Sequence, residues 1–220
     1  MSRGPFDPRF DDLPATLPIF PLAGVLLLPG GKLPLNIFEP RYLDMTSDAL
    51  AGERIIGMIQ PTASDSDAAS PPVYPTGCAG RITSFAETDD GRYLITLTGL
   101  CRFDVAEELP LHRGYRRVVP RFEPYRADLE AEAKAVIDRT RLCNALKAYF
   151  ALQSLAVDWE AIEETADEKL VTSLAMICPF EPSEKQALLE SPDLTERCRK
   201  MTALMEMAVL NSAASDVLRH

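Results

Sequence analysis

The rhythm of apolar positions changes once along the chain, near residue 125. Before that point, short apolar runs alternate with Pro, Gly and turn residues. After it, apolar residues recur every three or four positions among Ala, Leu, Glu, Lys and Met. The first texture predicts strands and the second predicts helices. Residues 1–13 are polar and punctuated by proline, the pattern of a loose tail. Residues 16–22, 25–28, 33–38 and 54–60 are strand-like, with Pro18, Pro21 and Pro29 at ends or edges. Between the last two runs, Pro40 suits a first helical turn, Leu43, Ala49 and Leu50 fall near helical spacing, and Gly52 supplies a stop.

Residues 61–72 (PTASDSDAASPP) contain no large apolar side chain and predict an exposed, mobile loop. Residues 80–87 and 92–98 flank Asp89-Asp90-Gly91, a strong hairpin signal because both Asp and Gly tolerate positive φ. With residues 101–105 and 115–122, this half is expected to hold seven or eight short strands and one helix, as a small barrel or sandwich.

Leu129, Ala133, Val136, Thr140, Cys143 and Leu146 recur at helical intervals and predict one long amphipathic helix from Asp128 to about Leu152. Asp167 is expected to cap a helix through Leu170, Leu174 and Ile177 that stops at Cys178-Pro179. Ser183 with Gln186 fits a capping box for a helix through Leu189. Ser191-Pro192 then opens the last helix, which carries Leu194, Cys198, Met201, Leu204, Met205 and Ala208. The expected class is α+β: a tail over 1–15, a β unit over 16–125 and a helical bundle over 126–220.

Composition narrows the function classes. The chain has 220 residues, 46% apolar and 25% charged, an ordinary globular balance. Its formal charge of −10 disfavours nucleic acid, whose binding rests on Lys and Arg against phosphate, although a local basic patch such as Arg113, Arg116 and Arg117 exists. The opening residues lack an apolar core of signal-peptide length, and no run reaches the roughly 18 apolar residues of a membrane span. The expectation is a cytoplasmic protein with no membrane partner. Five widely spaced cysteines without a C-x-x-C, and only two histidines, point to free thiols in the core. No zinc site and no cofactor are expected.

The candidate chemistry motifs dissolve on inspection. Gly30-Gly31-Lys32 invites comparison with a phosphate loop, G-x-x-x-x-G-K-[ST]. Leu26 stands where its first glycine belongs, Leu33 stands where its Ser/Thr belongs, and Pro34 interrupts any following helix. Pro29-Gly30-Gly31 therefore predicts a turn, with Lys32 a solvated charge. His112 has no carboxylate partner evident in sequence, and the acidic pairs at 107–108 and 163–164 match solvated faces. Phe38-Glu-Pro-Arg-Tyr42 joins a strand to a helix and admits two readings. Arg41 and Tyr42 form a binding corner, or Phe38 and Tyr42 belong to the core with Arg41 paired to an acid.

A resemblance runs through these same segments. Leu17-Pro-Ile-Phe-Pro-Leu22, Leu28-Pro-Gly-Gly-Lys-Leu-Pro-Leu35 and Ile37-Phe-Glu-Pro-Arg-Tyr-Leu43 resemble the N-terminal substrate-binding domain of the Lon ATP-dependent proteases, and in particular the stand-alone proteins built from that domain. The pattern extends through an Ile-Gly-Met strand at 55–59, Gly77-Cys-Ala-Gly-Arg-Ile82, the Asp-Gly hairpin, Thr98-Gly-Leu-Cys-Arg-Phe103 and residues 179–190, covering about 16–210. The resemblance implies a PUA-like β-barrel followed by a helical bundle, and a role in recognising protein substrates. A Walker A motif is missing from these 220 residues, which leave no room for ATPase and Ser/Lys protease domains, so the family's proteolysis is not carried over.

The expected function is a non-enzymatic module that binds partner proteins or unfolded peptide segments, as an adaptor or regulator in proteolysis, with a protease among its partners. An apolar groove between the two halves, with a sheet edge offering backbone hydrogen bonds, would hold the peptide. Its candidate contacts are Leu33, Leu35, Phe38, Arg41 and Tyr42, for which packing is the competing role. Two other classes stand beside this one. A PUA-like barrel binds a small ligand or RNA, or an enzyme uses perturbed acids near His112 or a thiol such as Cys101.

Overall fold

The computed structural model describes residues 8–62, 71–130, 135–153 and 158–217. Six strands form one mixed sheet: β1 (Leu17–Pro21), β2 (Lys32–Ile37), β3 (Ile55–Ile59), β4 (Thr76–Glu87), β5 (Tyr93–His112) and β6 (Tyr115–Arg121). Helix α1 (Pro40–Ala51) lies between β2 and β3, with Pro40 at its first position and Gly52 as its C-cap. The strand order is β2-β5-β4-β3-β1-β6, and β5 also pairs with β6. The pairing therefore runs in a circuit from β5 through β4, β3, β1 and β6 back to β5, with β2 attached outside it. Only β1 and β3 are parallel; the remaining pairs are antiparallel.

Helices follow the sheet: α2 (Arg139–Leu152), α3 (Trp159–Glu164), α4 (Asp167–Ile177), α5 (Pro182–Leu189) and α6 (Leu194–Val217). Helix α6 packs against α2, α4 and α5. One large apolar cluster joins the halves. It takes Ile37, Tyr42, Met45, Ile56 and Leu97 from the sheet and α1, and Leu146, Val171, Leu174, Leu188 and Met201 from the helices. A second cluster, including Leu17, Ile19, Cys101, Phe103 and Val118, belongs to the strands.

Several sequence expectations are corrected. Residues 25–28 form no strand. Leu26, Leu27 and Leu28 are all buried, so the apolar run is an extended loop pressed between sheet and helices rather than an alternating strand. It ends in the predicted turn: Gly30 has φ +76 and Gly31 N–H donates to Leu28 O at 2.9 Å. Residues 92–98 and 101–105 are not separate strands but parts of β5, which continues through a register shift opposite Ala79 and Gly80. Continuity there needs Gly99, because a Cβ at that position would lie 2.0 Å from Leu28 O. Six strands result among the described residues, rather than seven or eight.

The long helix from Asp128 is likewise replaced. Residues Glu123–Leu129 form a 3-10 segment and α2 starts at Arg139, capped by Asp138, whose side chain accepts Arg141 N–H. Asp167 is the first residue of α4 rather than its cap. The capping box of α5 uses Glu181 and Glu184 instead of Ser183 and Gln186. At α6, Asp193 accepts Glu196 N–H, a role the sequence reading gave to Ser191. Most of the predicted 61–72 loop, residues 63–70, lies outside the described residues.

Candidate functional site

The sheet has an open edge at β2. That strand pairs only with β5 among the described residues, in the register Leu33↔Leu97, Leu35↔Ile95, Ile37↔Tyr93. Gly99 N–H donates to Gly31 O at 2.8 Å, and the alternation of an antiparallel ladder carries that bonding to residues 33, 35 and 37. The backbone groups of Lys32, Pro34 and Asn36 consequently turn to the open edge. Pro34 has no N–H to offer there, so the edge presents carbonyls along its length but donors only at its ends. Side chains alternate too. Leu33 and Leu35 are half-buried against the main cluster, while Lys32, Pro34 and Asn36 are exposed.

Beyond Ile37 the chain turns into α1 through Phe38, which is 63% exposed. Tyr42 is only 7% exposed, and its ring centroid lies 4.2 Å from that of Phe20. Burial raises its hydroxyl above the ordinary tyrosine range. The Arg41 guanidinium stands 4.6 Å over the Tyr42 ring and pairs with Glu39 at 2.9 Å. Of the five predicted contacts, Phe38 is thus surface, Tyr42 is core, Arg41 lies over Tyr42 and pairs with Glu39, and Leu33 and Leu35 share the half-buried face of β2. The reading of Phe38 as a core residue is corrected, since most of its surface is exposed; the pairing of Arg41 to an acid is what the structure contains.

Two further apolar side chains share this end of the sheet and were not singled out from sequence. Phe85 and Leu94 are exposed, Leu94 lies opposite Asn36 of β2, and Phe85 packs edge-on against Tyr93 with centroids 5.1 Å apart. The Asp-Gly hairpin is the signal that could have found them, because it folds β4 onto β5, which sets 94 beside β2 and 85 one strand further in.

The enzymatic candidates gather differently. His112 Nε2 lies 3.7 Å from Asp48 Oδ2, yet that carboxylate already accepts the Tyr115 hydroxyl at 2.9 Å, and its other oxygen pairs with Arg113. These contacts fasten the β5–β6 hairpin tip to α1. Burial pushes the Cys101 thiol up to about 12, so it is a neutral core group rather than a nucleophile. Among the described residues no group of His, Cys, Asp and Glu is arranged to hold a metal. Among them, too, no helix is long and apolar enough to cross a membrane.

The arrangement defines an α+β domain with a mixed sheet and a helical half. Its fold is that of the Lon N-terminal domains. A Lon N-terminal domain protein from Xanthomonas campestris superposes with a TM-score of 0.61 at 23% identity, over 86% of this chain and 97% of that one. The N-terminal domain of the Mycobacterium avium complex Lon protease gives 0.57 at 18% identity, over 87% and 98%. Residues 16–207 match the substrate-binding domain of ATP-dependent protease La (LON), and the chain belongs to that family. Sequence relatives include the Lon protease of Anaeromyxobacter dehalogenans, 27% identical over 89% of this chain and 23% of that protein. Lon protease 2 of Myxococcus xanthus is 28% identical over 89% and 24%. The chain spans about a quarter of the length of these relatives, and the match lies in the substrate-binding domain rather than in a catalytic one.

Proposed function

We propose that this chain is a non-enzymatic binding module that holds segments of other protein chains, as an adaptor or regulator in proteolysis. The β circuit is read as a PUA-like barrel over residues 16–125, after a tail over 1–15 and before a helical bundle over 126–220. The observation that carries the reading is Phe38, a large aromatic side chain left 63% exposed beside the open edge of β2. An extended segment laid along β2 gains backbone hydrogen bonds from Lys32 and Asn36 and places apolar side chains against Leu33, Leu35 and Phe38. The acceptor-rich edge and the missing donor at Pro34 favour short segments over continuous strand addition. Membership of a substrate-binding family supports the same class of partner.

The test is binding of a fluorescently labelled, permanently unfolded polypeptide, followed by anisotropy, with the native chain and with Phe38→Asp. Saturable binding that weakens about ten-fold in the variant supports the site. Equal binding by both proteins removes it.

A further inference from the structure

The helical half contains a second concavity, remote in sequence from β2. It is a cleft of about 490 Å³ between α3 and α4, floored by Phe150 of α2 and by Cys178. Its size falls within the roughly 300–1,000 Å³ of small-ligand sites. The cleft is held open by fixed elements. Arg139 donates to the carbonyls of Ile162 at 2.6 Å and Thr165 at 2.9 Å and pairs with Asp167, which pins the end of α3 to the start of α4. Lys147 of α2 lies 5.3 Å over the ring of Trp159 at the start of α3.

Its lining mixes apolar and polar residues at successive levels of α4. Leu170, Leu174, Ile177, Phe150 and Ile162 supply the apolar part, and Ile177 is 70% exposed. Burial pushes the Cys178 thiol up to about 12, so the floor carries no charge. Lys169 and Ser173 adjoin Leu170 and Leu174 on α4, and Asp158 and Thr165 stand at the two ends of α3. Asp158 is occupied, its Oδ1 accepting Ala161 N–H at 3.1 Å, and Thr165 Oγ1 donates to Ala161 O. Lys169 and Ser173 make no hydrogen bond or ion pair among the described residues. The cleft therefore joins an apolar trough to one available cation with a hydroxyl one turn away.

We propose that this cleft binds a small amphiphilic carboxylate, a medium-length acyl chain along Leu170, Leu174 and Ile177 with its head at Lys169 and Ser173. The head follows from local charge complementarity at Lys169, the one cation in the lining, which pairs with no carboxylate among the described residues; Asp158 keeps its charge but belongs to the α3 wall, where it caps that helix. The site goes beyond the peptide surface at β2 and shares none of its residues, so either can fail alone.

The experiment uses the full chain and decanoate below its micelle concentration. Trp159, the only tryptophan, reports from α3, and calorimetry gives the stoichiometry. Saturable one-to-one binding is expected, about ten-fold weaker for Lys169→Glu and for decyltrimethylammonium, which carries the opposite head. Ser173→Phe, which fills the exposed side of the trough, abolishes it. Should that variant melt early, Lys169→Glu and the head-group comparison decide the question by themselves. The proposal is overturned by an unsaturable response, by equal affinity for both head groups, or by an unchanged affinity in Lys169→Glu. Displacement of decanoate by an apolar peptide amide that is indifferent to Lys169→Glu also overturns it and assigns the cleft to protein chains.

Discussion

Arg102 of β5 and Asp128 of the 3-10 segment form a two-pronged pair, Nε to Oδ2 at 2.9 Å and Nη2 to Oδ1 at 2.7 Å, in a place where Arg102 is 5% exposed. The remaining donors of the guanidinium reach the carbonyls of Leu189, Ser191 and Pro192 between α5 and α6, and its plane stands 4.8 Å over the Tyr125 ring. One side chain thus satisfies the last carbonyl of α5 and two in the α5–α6 connection, and fastens the sheet to the helical half. Breaking a buried pair strands a charge and costs about 3–5 kcal/mol. Asp128→Ala is expected to lower the urea midpoint by that equivalent. The double variant Arg102→Met with Asp128→Leu is expected to lose less than the sum of the single losses, read as a double-mutant cycle.

Two glycines separate crowding from backbone conformation. At Gly99 the space is closed by Leu28 O, whereas Gly91 has φ +78 and nothing within 4 Å of a Cβ. Gly91→Ala is expected to cost about 1–2 kcal/mol, the penalty of the left-handed region alone. Gly99→Ala displaces the buried Leu28–Gly31 turn and is expected to cost more than about 2 kcal/mol. Thermal melts of the two variants side by side make the comparison.

Acid stability should depend on Asp104. Partial burial raises its pKa, but hydrogen bonds from Arg121, Tyr125 and Thr76 outweigh that and hold the carboxyl below its ordinary range. A folded pKa below the unfolded one gives stability that is complete above the unfolded value, near 3.9, and lost as pH falls through the folded value. The loss therefore falls below about pH 4. Asp104→Asn is expected to cost about 1–2 kcal/mol near neutrality and to shrink that difference in acid, measured by urea unfolding at each pH.

Phe38 and Tyr42 lie four residues apart and should behave oppositely. Tyr42→Ala empties a buried site against Phe20 and is expected to cost about 3 kcal/mol or more. Phe38→Ser removes an exposed ring and is expected to shift stability by no more than about 0.5 kcal/mol. The same pair of melts tells whether a loss of polypeptide binding in the Phe38 variants reflects the surface or the fold.

What could be read from the sequence was local. The Asp-Gly turn, Pro40 at the start of α1 and the Leu28–Gly31 turn depend on φ preferences within four residues, and each was legible. The run at 25–28 was misread because three consecutive leucines describe burial without saying what buries them. The start of α2 was misread because Leu129 and Val136 happen to fall on a helical interval, although Val136 is 83% exposed outside any helix. Helix α3 escaped notice because six residues hold too little of a period, and its cap, Asp158, is one acid among many. For the candidate site, the neighbourhood of Phe38 and the Arg41–Glu39 pair could be expected from the motif, while Phe85 and Leu94 come from strands distant in sequence. The cleft at Lys169 needs the three-dimensional placement of α3 and was not legible at all.

The leucine loop at 26–28 has a consequence for the order in which the protein is made. Its roof includes residues near the far end of the chain: Lys185 Nζ donates to Gly24 O at 2.8 Å across 161 positions of sequence. On a ribosome adding roughly 5–20 residues per second, the strands emerge several seconds before α4 and α5 exist to cover that loop. During that interval the nascent sheet carries a leucine loop covered on its sheet side alone, the kind of apolar surface that chaperones bind. Silencing it requires the last third of the chain, so a translation pause just after β6 would prolong the vulnerable state rather than help the sheet to settle.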